Sequence, residues 1–145
     1  MPQTPYGHAS WAYDIVEMHD EFRVNEAVDK LSGDKLKQFL EFRLNFLQEE
    51  LDEAREAAAS GDLNRAEDIV DAMIDLVVVA IGTLDAFRVD ADEAWNRVYQ
   101  ANIAKEVGVN PNRPNPLGLP DLIKPKGWTA PTHADNIGTL WKLFV

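Results

Sequence analysis

Residues 69–81 read Ile69-Val70-Asp71-Ala72-Met73-Ile74-Asp75-Leu76-Val77-Val78-Val79-Ala80-Ile81, an apolar run interrupted only by two aspartates one helical turn apart. At about 100° per residue its apolar side chains cover nearly every face of a helix. A helix of that kind lies in the centre of a bundle or at a subunit interface. Ionised Asp71 and Asp75 are expected to be buried there, which is costly unless something positive meets them.

Working outward, nothing from Tyr6 to Asn110 is proline, while six prolines fall between Pro111 and Pro131. Long helices are permitted in the first region and disfavoured in the second. The segment before the apolar run repeats Leu36, Phe39, Leu40, Leu44, Leu47, Leu51 and Ala54 at steps of three and four, which predicts a helix. It stops near Ser60-Gly61, and Asp62 caps the next helix. A first helix is expected from about Ser10 to Asn25, with Trp11, Ile15, Met18 and Phe22 at helical spacing. Asp90 and Glu93 have capping-box-like spacing and open a fourth through Trp95, Val98 and Ile103. The short turn between the second and third helices makes them an antiparallel hairpin. The expectation is an all-α fold, a four-helix bundle-like protomer in one domain, 1–145. Its helical core runs over about 10–105 and a proline-rich irregular tail over 106–145, with a short apolar end (Ile137, Leu140, Trp141, Leu143, Phe144).

The chain has 145 residues, 46% hydrophobic, which suits one domain with a sizeable core. Its 25 acidic and 14 basic residues give a net charge of -11, so nucleic acid is not an expected partner. Without cysteine there are no disulfides and no thiolate metal sites. The start, Met1-Pro2-Gln3-Thr4-Pro5, has no signal-peptide pattern, and the Leu76 to Gly82 run is too short to span a bilayer. No membrane is expected, and a reducing cytoplasm is the expected setting.

Two acidic motifs stand out. Glu49-Glu50-x-x-Glu53 places three carboxylates within roughly a third of one helix circumference. Asp68, Asp71 and Asp75, at i, i+3 and i+7, share a face of the next helix. Like charges so placed repel, and Arg43, Arg55 and Arg65 are not positioned in sequence to neutralise them. A hard divalent cation with oxygen ligands would, and Mg²⁺ suits an open carboxylate cluster that shares it with substrate phosphates.

These motifs resemble those of the MazG-like all-α nucleoside triphosphate pyrophosphohydrolases, a family related to the dimeric dUTPases. Their signature is Glu-Glu-x-x-Glu on one helix and Glu-x-x-Asp on the next. Here Glu49-Glu50-x-x-Glu53 is followed by Asp68-x-x-Asp71, and Asp71-Ala72-Met73-Ile74-Asp75-Leu76 is similar to the family's Asp-Ala-Leu-x-Asp-Leu. Asn102-Ile103-Ala104-Lys105 resembles the family's Asn-x-x-Lys, and Lys124-Pro125-Lys126-Gly127-Trp128-x-x-Pro131 a segment that closes many phage and bacterial members. Asp68 stands where the family usually has Glu, with Glu67 beside it, and either fills that role.

The resemblance implies hydrolysis between the α and β phosphates, giving a nucleoside monophosphate and pyrophosphate. It implies Mg²⁺, with Mn²⁺ as a substitute, held by Glu49, Glu53, Asp68 and Asp71. Glu50 is the catalytic candidate, orienting or deprotonating the attacking water, or else a further ligand. Asn102 and Lys105 would bind phosphate, with Asp75 a ligand or a partner of Lys105. Trp11, His19 and Phe22, with Asn25, offer stacking surfaces and polar edges to a base. Lys124, Lys126 and Trp128 would form a lid or tie down the tail. The base is open between a purine deoxynucleotide such as dGTP and the dUTP or dCTP of the dUTPase branch. A homodimer or homotetramer follows from the apolar third helix, in the cytoplasm, or a host's cytoplasm for a phage-encoded protein.

Two other readings compete. A ferritin-like di-iron bundle needs Glu-x-x-His motifs, and no histidine here follows a Glu at that spacing. An acidic helical interaction module would turn its acids outward and leave Asp71 and Asp75 unexplained.

Overall fold

A computed structural model describes residues 10–145. The chain forms two compact units: one runs up to Ala91 and includes Ile137–Val145, the other is Asp92–Asn136. The fold is all-α, with one small two-stranded sheet. No helix among the described residues is long and apolar enough to cross a membrane.

In the first unit, α1 (Trp11–Glu21) starts where Ser10 Oγ accepts from the Tyr13 amide at 3.0 Å. The single first helix expected from the sequence is in fact two. Arg23 adopts a left-handed backbone (φ 56°), and α2 (Val24–Asp29) begins after it. The Arg23 guanidinium grips both carboxylate oxygens of Glu26, at 2.8 and 2.7 Å, which helps to hold the break. α3 (Asp34–Ser60) runs 27 residues without Pro or Gly and stops at Gly61, whose φ of 67° suits a residue lacking Cβ. Asp62 caps a 3-10 turn, Leu63–Arg65, one turn before α4 (Ala66–Ala86).

α3 and α4 pack as the antiparallel hairpin that the short turn predicts. Arg43 of α3 fixes their register, donating to the Val79 carbonyl (3.1 Å) and the Thr83 hydroxyl (3.0 Å). Gly82 makes room for this: a Cβ there would meet Arg43 Nη2 at 2.6 Å and His19 Nε2 at 3.0 Å. Next to it, buried His19 donates through Nδ1 to Asp85 Oδ2 at 2.8 Å, and Asn25 Nδ2 donates to the same oxygen at 2.9 Å. The turn at Arg23 is what brings Asn25 back to this acid.

The apolar core gathers at the far end of α4, where Phe87 is fully buried among Val28, Leu36, Ala86 and Val89. Leu140 and Leu143 of a C-terminal 3-10 helix (Gly138–Phe144) pack on it. The Thr139 amide and hydroxyl both donate to the Phe87 carbonyl, at 2.7 and 3.1 Å.

In the second unit, α5 (Ala91–Ile103) leads into β1 (Glu106–Gly108), which pairs antiparallel with β2 (Asp121–Ile123), Glu106 opposite Ile123. The segment expected to be irregular thus contains a short ladder, closed around a proline-rich loop. The tail returns to α5, where Arg97 binds the Asp135 carboxylate, the Thr132 carbonyl and Glu93, and the Trp128 indole donates to the Ala101 carbonyl at 2.7 Å.

Gly138 has φ 52°, and a Cβ there would collide with the Phe87 carbonyl, whereas Gly33 has φ 55° with open space around it. Gly33, with ψ -129°, lies outside the left-handed helical well, so Gly33→Ala should cost only the backbone penalty of that positive-φ region, about 1–3 kcal/mol. Gly138→Ala should cost more, by about 1–3 kcal/mol, because the C-terminal helix must leave its seat. Thermal or denaturant unfolding of the two variants checks this; equal losses would show that the seat is not needed.

Candidate active site

The antiparallel register brings the two acidic motifs face to face. With Arg43 meeting Val79 and Thr83, the residues two turns further along α3 come level with the first half of α4. Glu50 is the buried member, at 9% exposure. Burial pushes its proton affinity up, and so does the negative charge of Glu53, Asp75, Glu49 and Asp71, in that order. The structure therefore brings together five of the acids picked out in the sequence, drawn from both helices.

The expectation that Asp71 and Asp75 are buried is overturned. Both are exposed in the protomer, and Glu50 takes the buried position instead. The run 69–81 is apolar on most faces, yet one side of it, with Val70, Met73 and Ile74, is exposed. Periodicity identifies the face on which an aspartate lies but not whether another element covers it.

Asp68 differs from the others. Its Oδ2 accepts from Arg65 Nε at 3.1 Å, and Arg65 also reaches Glu56 at 4.0 Å. Among the described residues, no Lys or Arg forms an ion pair with Glu49, Glu50, Glu53, Asp71 or Asp75. On α3 itself, Arg43 is spent on Val79 and Thr83, and Arg55 pairs with Asp52 at 3.8 Å.

The donor set is all oxygen, which fits a hard divalent cation. The position of buried Glu50 among Glu49, Glu53, Asp71 and Asp75 from both helices supports the fit. Among the described residues, no three His, Cys, Asp or Glu side chains are grouped closely enough to hold a metal ion.

Other residues picked out in the sequence lie elsewhere. Trp11 and Phe22 are exposed, at 61% and 72%, so they are not core of the protomer. His19 is buried, and its Nδ1 is committed to Asp85 rather than offered to a base. Asn102, Lys105, Lys124, Lys126 and Trp128 all belong to the second unit. There Lys105 and Lys124 lie over the Trp128 ring, while Lys126 is exposed. Sequence reasoning missed the network of Arg43, Thr83 and Asp85. Its signal was a lone arginine in step with the apolar stripe Leu36, Leu40 and Leu47.

A family model, phosphoribosyl-ATP pyrophosphohydrolase, matches residues 15–102, more than half of the chain and all of both acidic motifs. The chain belongs to this phosphoribosyl-ATP pyrophosphohydrolase family. The family lies within the MazG-like all-α superfamily, in agreement with the helical fold. Nucleotide pyrophosphohydrolysis is the activity that comes with a phosphoribosyl-ATP pyrophosphohydrolase. Comparison with curated proteins and with solved structures finds no match.

Glu50 gives a pH signature. Its folded-state pKa lies above the ordinary glutamate value, about 4.3, so the unfolded chain releases this proton first. The stability it contributes is present below that value and is lost as pH rises through the raised one. In metal-free buffer, Glu50→Gln should gain stability over wild type as pH climbs from about 4, then hold a constant lead. Urea unfolding at a series of pH values reads this; a difference independent of pH would contradict it.

Proposed function

We propose that the chain hydrolyses a nucleoside triphosphate between its α and β phosphates, in a reaction that depends on Mg²⁺ or Mn²⁺. The observation that carries this reading is the buried Glu50, without an ion-pair partner among the described residues, facing acids from two helices inside the family-matched segment. Glu49, Glu53 and Asp71 would hold the metal, joined by Asp75 and by Asp68 or Glu67. When bound, a divalent cation neutralises phosphate charge and acidifies water.

Glu50 is the base in this reading. Its raised proton affinity makes it a stronger proton acceptor than a solvated glutamate. It takes a proton from the water whose oxygen bonds to the α phosphorus, as the bond to the bridging oxygen breaks and pyrophosphate leaves. Asn102 and Lys105 bind phosphate oxygens. Trp11 and Phe22, both exposed, offer rings for base stacking. A purine deoxynucleotide such as dGTP is the preferred substrate in this reading, in keeping with the resemblance of the 124–131 segment to phage and bacterial members.

The exposed Val70, Met73 and Ile74 side of α4 is covered by a second copy of the chain in this reading, which makes the enzyme a homodimer or larger. Its setting is the cytoplasm.

Incubation with each common NTP and dNTP, and with phosphoribosyl-ATP, in Mg²⁺ should yield a monophosphate product and pyrophosphate from at least one. Glu50→Gln should lower turnover by about 10²-fold or more while nucleotide still binds. Release of orthophosphate and a diphosphate would place cleavage at the γ phosphate and refute the reaction. No turnover of any compound would favour an acidic binding module.

A further inference from the structure

Of the 14 Lys and Arg in the chain, seven form an ion pair with a carboxylate among the described residues. Arg23, Arg65, Arg88, Arg97 and Arg113 all bind carboxylates. Lys105 and Lys124 do not; among the described residues each instead places its ammonium group over an aromatic ring. Lys105 Nζ lies 5.3 Å from the centroid of Trp128, and Lys124 Nζ 5.1 Å from it. The ring is itself pinned, because its Nε1–H donates to the Ala101 carbonyl on α5 at 2.7 Å.

The ladder explains why the two lysines meet. Lys105 immediately precedes β1 and Lys124 immediately follows β2, and the register sets Glu106 opposite Ile123. The next step along the ladder therefore brings Lys105 and Lys124 level with each other. Like charges opposed across strands are destabilising, and the electron-rich face of an indole offsets only part of that repulsion. An anion bound between the two ammonium groups would remove the rest.

We propose that Lys105 and Lys124, paired at the end of the β1–β2 ladder, form a two-lysine site for a polyphosphate chain. Trp128 is the positioning residue that holds both ammonium groups in place. Lys105, Lys124 and Trp128 all lie beyond residue 102, where the family match ends; phosphate binding by Lys105 belongs to the function proposed above, and its pairing with Lys124 across Trp128 is what the structure adds. That the polyphosphate is the substrate's triphosphate rests on the function proposed above; that the site binds polyphosphate does not.

The test is calorimetric titration of the full chain with inorganic tripolyphosphate in metal-free buffer, where hydrolysis plays no part. Wild type should bind, more weakly as salt is raised. Lys105→Gln and Lys124→Gln should each weaken binding by about tenfold or more, the scale of one lost charge-assisted contact. Lys124→Arg should restore it, which a merely structural role would not require. Trp128→Leu should weaken binding as a lysine loss does, and Trp128→Phe, which keeps a ring, much less. Thermal melts identify any variant that has unfolded. Absence of tripolyphosphate binding by wild type, or undiminished binding in both glutamine variants, overturns the proposal. An enzyme that hydrolyses no triphosphate yet shows this pattern would refute the reaction and leave the site standing.

Discussion

Glu50 is a buried carboxylate set against four others, and among the described residues no cation is paired to it. Unpaired buried charge is among the most expensive features a fold can carry. The cost persists because the helices that impose it are held together elsewhere. Two turns away on the same α3–α4 hairpin, Arg43 satisfies Val79 and Thr83, and Asp85 receives His19 and Asn25. One end of the hairpin is a closed network of donors and acceptors, and the other is an open set of acceptors. The closed end keeps the open end from relaxing.

This division accounts for several local choices. Gly82 has no Cβ because Arg43 and His19 converge over it. Arg23 adopts a left-handed backbone because only a reversal there returns Asn25 to Asp85. The acidic face lies near the α3–α4 turn, away from the core around Phe87 and its C-terminal strap. Apolar packing and the acidic site are thus separated along one helix pair, so the site can bear repulsion without opening the core.

Much of this was legible in the residues. The absence of Pro and Gly between Asp34 and Ser60, with the stop at Gly61, marked α3. The short link to α4 implied the antiparallel register that sets Glu50 against Asp71 and Asp75. The break at Arg23 was not legible, because a non-glycine left-handed residue leaves no mark in apolar periodicity. Nor was the exchange of roles in which Glu50 is buried and Asp71 and Asp75 are exposed, since coverage of a face depends on neighbouring elements. The β1–β2 ladder escaped as well. Three-residue strands on either side of a proline-rich loop give no alternation long enough to read, and so the meeting of Lys105 with Lys124 became visible only in the structure.

In the proposed reaction a divalent cation supplies the charge missing around Glu50. The most direct measurement is a thermal melt of wild type and Asp71→Asn across a Mg²⁺ titration that starts from chelator. Wild type should gain stability steadily, by about 2.7 kcal/mol at a hundred times the dissociation constant. Asp71→Asn should lose most of that gain while melting, without metal, at or above the wild-type temperature, because one repelling charge is gone. A wild-type melt unmoved by Mg²⁺, or a metal-free variant melting well below wild type, would show that these acids are not held together for a cation.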